Sequence, residues 1–424
     1  MKILVVGSGG REHAIVSTLG RSPRKPQLYA APGNAGIGLE AQLLDGSPDS
    51  LEGIERLLSH ARSQGIGLTV VGPEAPLVLG MVDRFQAERL KIFGPDKSAA
   101  QLEGSKCFAK EFLARHGIPT GSFRIFDDPA RARRHVESCP LPVVLKADGL
   151  AAGKGVIVAR ERAEALAAVE AILVERRFGE AGKRLVVEEF LEGSELSFFV
   201  ISDGETFVPL ETAQDYKQVF DGDQGPNTGG MGSYSPYYDL EDPLIRGIVE
   251  DIVKPTLKGL RSEGIVFRGS LYIGLMLTSK GPQVLEFNVR LGDPETQVIL
   301  SRLRTDLAEV LERAADGRLA GLELSWDPRH AVTIVAASDG YPGKYTTGEV
   351  ISGLDSIADE AVKVFHSGTR RGPKGEFLTA GGRVLAVTAL GKDRSEARAR
   401  AYAAIPKIHF AGMHHRKDIG AAGR

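Results

Sequence analysis

The arrangement of the chain follows from one stretch, Val284-Leu-Glu-Phe-Asn-Val-Arg-Leu-Gly-Asp-Pro-Glu-Thr-Gln297. Its first half predicts a strand, on which successive side chains alternate between two faces. The apolar face carries Leu285, Phe287, Val289 and Leu291, and the polar face carries Glu286, Asn288 and Arg290. Because a continuous apolar face packs against a core, we expect the polar face to line a site; a surface strand with solvated charges is the alternative.

The polar face is typical of phosphoryl chemistry. A carboxylate and an amide oxygen, from Glu286 and Asn288, are hard ligands of the kind that Mg²⁺ binds beside water and phosphate oxygens. Arg290, further along the same face, is suited to bind a phosphoryl or acyl oxygen. The stretch therefore predicts a metal and phosphate site on one strand.

Composition limits the classes of function. The chain has 424 residues, enough for two to four domains, and 53 basic residues nearly balance 55 acidic ones. That balance argues against a general binder of nucleic acid or of anionic membranes. No stretch is apolar for about 18 residues, and the first residues become glycine-rich too early for a signal peptide. Cys107 and Cys139 have neither metal nor redox spacing, so we expect a cytoplasmic protein.

A glycine-rich turn follows the first predicted strand. Residues 2–6 form an apolar run, and Gly7-Ser-Gly-Gly-Arg-Glu-His13 leads into a helical pattern, a geometry that cradles phosphate. Glu12 stands at the third glycine position of a dinucleotide-binding fingerprint, and no acidic residue follows the second predicted strand at 27–31. Both features oppose a nicotinamide-dependent oxidoreductase.

Further predicted strands at 68–71 and 90–93 deliver loops to the same sheet edge, where ligands of open α/β sheets bind. Glu12, Asn34 and Glu74 stand beside glycines in these loops. Plain turn chemistry explains the glycines alone, but the three polar side chains favour a small polar ligand.

A second glycine-rich segment, Ala147-Asp-Gly-Leu-Ala-Ala-Gly-Lys-Gly155, lies between predicted strands at 142–146 and 156–159. Such a turn predicts a flap whose backbone amides cover phosphates. It is not a P-loop, because Lys154 is followed by glycine and then by a strand. Lys146 ends the preceding strand as a fixed charge for phosphate, with a surface lysine as the alternative.

Three later segments add weaker signals. The acidic end of a strand predicted at 184–191, with Glu195 beyond it, is a candidate hinge for adenine and ribose. Residues 214–232 predict a long polar loop that closes over reactants. Beyond residue 327, short strands and a helix at 395–404 predict a small α+β domain. Its secondary candidates for substrate contact are Lys344, His366 and Arg383.

Six motifs occur in a specific order. They are Gly7-Ser-Gly-Gly-Arg-Glu-His-Ala14, Ala31-Pro-Gly-Asn-Ala-Gly36, Val71-Gly-Pro-Glu-Ala-Pro-Leu77, Lys146-Ala-Asp-Gly-Leu-Ala-Ala-Gly-Lys-Gly-Val156, Gly225-Pro-Asn-Thr-Gly-Gly-Met-Gly232, and Glu286-Phe-Asn288 with Gly292-Asp-Pro-Glu-Thr-Gln297. With this set the chain resembles the glycinamide ribonucleotide synthetase family of the ATP-grasp superfamily from end to end. The resemblance implies an α/β fold: an N-terminal Rossmann-like domain at 1–104, an ATP-grasp domain at 105–327 with a flap subdomain at about 120–192, and a small C-terminal α+β domain at 328–424.

The resemblance also implies a reaction. ATP would phosphorylate the carboxylate of glycine, and the amine of 5-phosphoribosylamine would attack the glycyl phosphate to give glycinamide ribonucleotide, ADP and phosphate. It implies ATP with Mg²⁺ or Mn²⁺, small-molecule substrates, and a monomer in transient contact with the enzyme that makes 5-phosphoribosylamine.

Residue roles follow from the same resemblance. Those for ATP are Lys106, Lys146, Gly149, Gly153, Gly155, Glu188, Glu189, Leu191 and Glu195. Those for glycine and 5-phosphoribosylamine are Gly9, Gly10, Glu12, Asn34, Gly36, Glu74, Asp215, Asp293 and Thr296. Glu286 and Asn288 would hold the metal, and Arg290, Lys146 and Asp215 would act in catalysis.

Two other functions are open at this point. Another ATP-grasp ligase, acting through carboxyphosphate on a purine precursor, would require bicarbonate in place of glycine. A nucleotide sensor without catalysis would have no use for metal and phosphoryl ligands on one strand. Tyr216 and Gln218 depart from the family pattern, where more basic residues are usual, and we expect them to affect loop closure or acceptor affinity.

Overall fold

The computed structural model describes residues 1–150 and 155–421. Within these residues the strands form four main sheets and two small ones. In this part of the chain, no helix combines the length and apolar composition needed to cross a membrane.

The N-terminal sheet is parallel. Its strands, in spatial order, are Gln42–Leu43, Gln27–Pro32, Lys2–Gly7, Leu68–Val71 and Ile92–Phe93. The helices of this region are Gly10–Gly20, Leu51–Gln64, Glu74–Val78, Met81–Ala87 and Gln101–Gly104. Residues 3–6 are fully buried, since their alternate side chains enter two different apolar cores. Strand order reverses beside Lys2–Gly7, so the loops after Lys2–Gly7 and Leu68–Val71 border a crevice at the carboxyl edge.

The flap sheet is antiparallel and follows the helix Lys106–Arg115. Its strands, in spatial order, are Phe123–Phe126, Leu185–Glu189, Val143–Ala147 and Val156–Ala159. The helices Pro129–Ser138 and Arg162–Val169 cover it. The apolar spacing over residues 162–176 predicts one helix, but the α-helix ends at Val169, and a wider π-helical turn, Glu170–Val174, follows it.

The central sheet is also antiparallel and carries the stretch with which the sequence analysis began. Its strands are Phe207–Pro209, Ser194–Asp203, Arg268–Thr278 and Gly281–Asn288. Its helices are Pro243–Ile248, Lys254–Ser262, Glu295–Arg302 and Leu307–Ala315, with a π-helical turn at Val249–Val253. The sequence pattern predicts one long helix over residues 239–261, but the helix begins at Pro243, because Asp242 accepts a hydrogen bond from Leu244 N and proline suits a first turn.

The C-terminal sheet takes strands from two distant parts of the chain. In spatial order they are Gln214–Asp215, Gly232–Ser235, His330–Ala337, Arg383–Gly391 and Val362–His366. The helix Arg394–Ala404 packs on this sheet, and a small sheet of Val350–Ile351, Phe377–Thr379 and Thr369–Arg371 adjoins it. The sheet therefore draws on both sides of the boundary predicted near residue 327.

The prediction of one irregular loop over residues 214–232 was wrong. This segment contains the strand Gln214–Asp215 and a two-stranded hairpin, Gln218–Phe220 with Gln224–Asn227. The hairpin strands are short, and Gln224–Asn227 is exposed throughout, so the segment has no hydrophobic alternation from which a strand could be predicted.

Candidate active site

A cleft of about 550 Å³ opens where the four main sheets meet. The helix after the strand Leu68–Val71 contributes Glu74 to its wall, the flap sheet Lys146, the central sheet Glu286 and the C-terminal sheet Arg383. The cleft therefore gathers charged side chains from segments that are far apart in sequence.

The strand Gly281–Asn288 and the residues up to Leu291, here called the reactive strand, form the floor of the cleft. Glu286, Asn288 and Arg290 all line it, as the alternation predicts. On the opposite face, Phe287 and Val289 are buried in the apolar core. One face of this strand thus stabilises the fold while the other carries polar groups.

The alternation fails at Leu285, which the sequence pattern places on the apolar face. Gly274 of the neighbouring strand pairs with Glu286, and Leu275 pairs with Val284, so Leu285 is the extra residue of a β-bulge. Val284 takes the core position and Leu285 lines the cleft. The bulge corrects the prediction and leaves Glu286 facing the cleft.

Two lysines approach the reactive strand from the flap side. Lys146 Nζ donates to Leu285 O at 3.2 Å and forms an ion pair with Glu188. Lys106 Nζ donates to Gly149 O at 2.9 Å but has no carboxylate within ion-pair distance in the described part of the chain. Burial lowers the pKa of Lys106. A half-buried ammonium group whose partner among the described residues is a carbonyl favours an anion in the cleft.

Glu286 is ionised despite its burial. Burial alone would raise its pKa, but Lys217, Lys146 and Lys106 together outweigh burial and lower that pKa to about 2. Among residues 1–150 and 155–421, no three His, Cys, Asp or Glu side chains are grouped so as to hold a metal ion. The predicted metal ligands are accordingly one carboxylate and one amide, Glu286 and Asn288.

Arg290 is held by carboxylates from the N-terminal region. Its guanidinium lies 2.9 Å from Glu103 Oε1 and 3.3 Å from Glu74 Oε2, and it donates to Asn288 Oδ1 at 3.0 Å. The other oxygen of Glu103 accepts from Val289 N at 2.8 Å. Burial would lower the pKa of Arg290, but Glu103 and Glu74 raise it, so the guanidinium stays charged. It also occupies one side of the Asn288 amide oxygen.

An acidic group lies across the cleft. Asp215 Oδ1 is buried and has no hydrogen-bond partner among the described residues, and burial together with nearby Glu295 raises the pKa of Asp215 well above its ordinary value. Lys217 Nζ, 2.8 Å from Glu195 Oε2, acts in the opposite sense on Asp215. Asp215 is thus a carboxyl group that lines the cleft and whose proton affinity is high.

A second cavity, of about 410 Å³, adjoins the cleft and shares Asp293, Tyr341 and Arg383 with it. Its walls include Gly9 and the turn containing Asn34. Asn34 Nδ2 donates to the carbonyls of residues 8 and 366, and Asn34 Oδ1 accepts from the amides of residues 36 and 37. The Asn34 amide is therefore fully used in fixing the cavity wall.

Other N-terminal candidates also shape the wall. Glu12 accepts from Gly9 N at 2.5 Å and closes the start of the first helix. A Cβ atom at Gly10 would lie 2.6 Å from Ser367 Oγ, and one at Gly36 would lie 2.4 Å from the His366 ring, so a side chain fits at neither position.

The remaining substrate candidates come from the turn after the reactive strand. Asp293 lines both cavities, lies 3.2 Å from Arg383 Nη2 and accepts from Gln297 Nε2 at 2.8 Å. Thr296 is buried, and its hydroxyl donates to Gly292 O at 2.5 Å. Asp293 is therefore placed to contact a ligand, whereas Thr296 stabilises the turn.

The candidates for nucleotide binding are only partly in the cleft. Lys106, Lys146 and Gly155 line it. Three of the acidic candidates have partners: Glu188 forms ion pairs with Lys110, at 2.5 Å, and with Lys146, Glu189 accepts a hydrogen bond from Ser122 N at 3.2 Å, and Glu195 forms an ion pair with Lys217. Leu191 is half-buried just beyond the end of its strand, and Gly149 has a φ angle of +137°. Gly153 lies outside the described residues. These assignments stay predictions.

Several cleft residues were absent from the primary predictions. Lys217, Tyr272 and Glu295 line it, as does Arg383, which was a secondary candidate. Glu295 was predicted only as a member of the motif Gly292-Asp-Pro-Glu-Thr-Gln297, because the helix Glu295–Arg302 buries polar residues in its first turn and so lacks an amphipathic pattern. Lys217 lies in the segment 214–232, which was predicted to be a loop. The cluster of glycines and polar residues in that segment was the signal that could have identified Lys217.

Three family models match the chain in order. They describe phosphoribosylglycinamide synthetase: the N domain at residues 1–103, the ATP-grasp (A) domain at 104–296 and the C domain at 331–422. Two relatives are named phosphoribosylamine–glycine ligase, and each is 50% identical to this chain. The protein from Xanthomonas axonopodis pv. citri aligns over 423 residues, 99% of this chain and 97% of its own length. The protein from Escherichia coli O157:H7 aligns over 421 residues, 99% of this chain and 98% of its own length.

Solved structures agree with these matches. A phosphoribosylamine–glycine ligase from Thermotoga maritima has a TM-score of 0.84 and 34% identity, covering 99% of this chain and 100% of that chain. The biotin carboxylase domain of a Hydrogenobacter thermophilus 2-oxoglutarate carboxylase has a TM-score of 0.73 at 18% identity, covering 98% and 91%, and shows a shared fold alone.

The fold is that of an ATP-grasp protein with a Rossmann-like N-terminal domain and a small C-terminal α+β domain. Within that class, the chain belongs to the phosphoribosylglycinamide synthetase family, whose members are also named phosphoribosylamine–glycine ligase.

Proposed function

We propose that this protein joins glycine to 5-phosphoribosylamine at the expense of ATP, giving glycinamide ribonucleotide, ADP and phosphate. Its family supports this activity. The observation that carries it is the cleft, in which ionised Glu286, Asn288 and Arg290 share one strand face. Half-buried Lys106 lies nearby and has no carboxylate within ion-pair distance among the described residues. That arrangement suits the transfer of a phosphoryl group to a small acid.

The nucleotide phosphates would meet Lys106 and Lys146. Lys106 gains the anionic partner that the described structure does not supply, and Lys146 is held in place by Glu188 and Leu285 O. The predicted flap residues Gly149, Gly153 and Gly155 would cover the phosphates. Glu188, Glu189, Leu191 and Glu195 would hold the nucleoside, with Glu195 giving up Lys217 to do so.

The metal ligands would be Glu286 and Asn288. The ionised carboxylate and the amide oxygen fit Mg²⁺, which uses few protein oxygens and completes its shell with water and phosphate, and we propose Mn²⁺ as its replacement. When bound, the ion offsets the charge of the phosphate oxygens. Arg290 Nη2 already donates to Asn288 Oδ1, so Arg290 orients that ligand.

The reaction has two steps, each of which forms one bond and breaks another. A carboxylate oxygen of glycine bonds to the terminal phosphorus as ADP leaves, and the amine nitrogen then bonds to the carbonyl carbon as phosphate leaves. Arg290 would bind the oxygens of the acyl phosphate. Asp215, with its raised pKa, would take the proton released by the attacking amine.

The acceptor would occupy the smaller cavity. Gly9 and Gly10 begin the helix Gly10–Gly20, whose N-terminus suits the phosphate of 5-phosphoribosylamine. Glu12, Asn34, Gly36 and Glu74 would shape that site, and Asp293, which lines both cavities, would form the passage to the cleft, with Thr296 holding the turn in place.

We further propose domains at 1–104, 105–327 with a flap at about 120–192, and 328–424. The match ranges of the family models support these limits. We propose a cytoplasmic monomer that makes transient contact with the source of its labile amine substrate.

The test measures ADP release from ATP and Mg²⁺ with glycine and freshly generated 5-phosphoribosylamine each supplied or withheld, and identifies the product by mass spectrometry. We expect ADP and glycinamide ribonucleotide only when both are present. A requirement for bicarbonate in place of glycine would favour the carboxyphosphate ligase and refute the proposal. Replacing Mg²⁺ by Mn²⁺ in the same assay tests the second metal.

A further inference from the structure

Residues 414–420, here called the C-terminal strap, hold the hairpin that borders the cleft. Arg416, at the centre of the strap, is completely buried. Its Nε and Nη2 groups bind both oxygens of Asp418, at 2.7 and 2.5 Å, and its Nη1 group donates to Asp223 Oδ1 at 2.9 Å and to Gln218 O at 3.0 Å. Asp223 and Gln218 belong to the hairpin, so one guanidinium ties the strap to it.

The rest of the strap repeats this connection. His414 Nε2 donates to Val219 O at 2.9 Å, and the amide of Lys417 donates to Asp221 Oδ1 at 2.7 Å. In return, the amide of Gly222 donates to Asp418 Oδ2 at 2.9 Å. The first strand and the tip of the hairpin are therefore fixed by residues that lie about 200 positions away in sequence.

The hairpin side facing the strap is continuous with the residues that face the cleft. Asp215 and Lys217 line the cleft, whereas Tyr216, between them, is fully buried on the other side. The Arg416 guanidinium lies 5.0 Å from the centre of the Tyr216 ring, and the Tyr216 hydroxyl accepts from Gly420 N at 2.9 Å. Fixing Tyr216 from behind sets where its two neighbours stand.

We propose that Arg416 is a positioning residue for the ligase reaction, because it locks the far face of residues 215–218 and so places Asp215 and Lys217 in the cleft. The inference rests on the proposed function of that cleft. It also gives Tyr216, one of the two departures from the family pattern, a role, because its ring faces the strap; Gln218 contributes a backbone carbonyl that any residue would supply.

A lysine cannot take over this role. Arginine presents a planar fork that binds two carboxylates and a carbonyl at fixed angles, while lysine offers a single ammonium centre on a flexible stem. Arg416→Lys therefore keeps the charge and removes the geometry.

The experiment compares Arg416→Lys with the wild type and with Arg400→Lys. Arg400 is a matched control, because it binds Asp359 with both contacts at 3.1 Å and Glu396 at 3.2 Å in the same region but does not touch the hairpin. Steady-state kinetics give kcat and the KM values for ATP and glycine, and hydrogen–deuterium exchange follows the amides of residues 216–227.

For Arg416→Lys we expect a kcat at least tenfold lower, an ATP KM within twofold of wild type and faster exchange over residues 216–227, with no change in Arg400→Lys. Faster exchange with a normal kcat would overturn the inference, as would a loss of kcat accompanied by an equal change in ATP KM. If Arg416→Lys does not fold, Asp223→Asn at the hairpin tip is judged by the same criteria. The wild-type rate alone tests the proposed function, so the two failures are distinguishable.

Discussion

Glu103 supports Arg290 from behind the reactive strand, and its replacement by glutamine separates the effect of charge from that of shape. One Glu103 oxygen lies 2.9 Å from Arg290 Nη2, and the other accepts from Val289 N at 2.8 Å. Burial raises the pKa of Glu103 to about 7, with Glu74 adding to burial and Arg290 opposing it. Glu103 is thus an acid that the fold holds near its own midpoint at neutral pH.

The stability effect of Glu103→Gln depends on pH. The folded-state pKa lies above the ordinary value of 4.5, so folding takes up a proton between these two pH values. The free-energy cost of burying the ionised Glu103 carboxylate is therefore absent below about pH 4.5 and complete above about pH 7. At roughly 1.4 kcal/mol per pKa unit, the full cost is about 3 kcal/mol. Glutamine has no charge to bury, so the free energy of unfolding of the variant relative to wild type should rise by about 2–3 kcal/mol between pH 5 and pH 8.

The same substitution should lower the catalytic rate, although it stabilises the fold at high pH. Glutamine offers one acceptor where glutamate offers two, and a hydrogen bond to a charged group contributes about 1.5–3 kcal/mol. We therefore expect kcat at pH 8 to fall roughly 10- to 100-fold, since Arg290 loses its charged partner Glu103 and keeps Glu74, Asn288 and a 3.4 Å hydrogen bond to Leu291 O.

The assays are urea unfolding at pH 5 and pH 8 and ADP release at pH 8. Glu52→Gln is the control, because Glu52 is exposed and pairs only with Arg56 on the same helix. A stability difference that does not change with pH would show that Glu103 ionises normally. A kcat within twofold of wild type would show that Arg290 is held without Glu103.

Three further substitutions test the cleft. Glu286→Gln removes the ionised metal ligand and should lower kcat at least 1,000-fold, on the order of the loss of a charged transition-state contact, with an unchanged melting temperature; near-normal turnover at saturating Mg²⁺ would exclude the metal role. Lys146→Met should raise the KM for ATP about tenfold or more while Glu188 keeps Lys110 as its partner, and unchanged ATP kinetics would return Lys146 to a structural role. Asp215→Asn should lower kcat by about 100-fold, the usual contribution of a general base, without changing the ATP KM; a rate within twofold of wild type would remove Asp215 from the proton transfer.

The sequence predicted best where a local pattern coincides with burial. The reactive strand was identified because apolar and polar residues alternate along it, and the parallel N-terminal strands because each is a short apolar run ending in glycine. The bulge at Leu285 could not be predicted, since it depends on how Gly274 and Leu275 of the neighbouring strand pair with the reactive strand. The periodicity of side chains can be read from one strand, whereas the register depends on how two strands pair.

The charges of the cleft show the same limit more strongly. Arg290 and Glu74 are 216 positions apart in sequence, and Glu103 lies in a four-residue helix with no motif of its own. Each acid in isolation resembles a surface carboxylate. Their meeting at one guanidinium raises the pKa of Arg290, while burial, opposed by Arg290, raises the pKa of Glu103 to about 7. A sequence can therefore indicate which residue type performs a step, as it does for Glu286 and Arg290. The groups that set its charge and orientation are fixed by the packing of several sheets, and they become visible only when that packing is known.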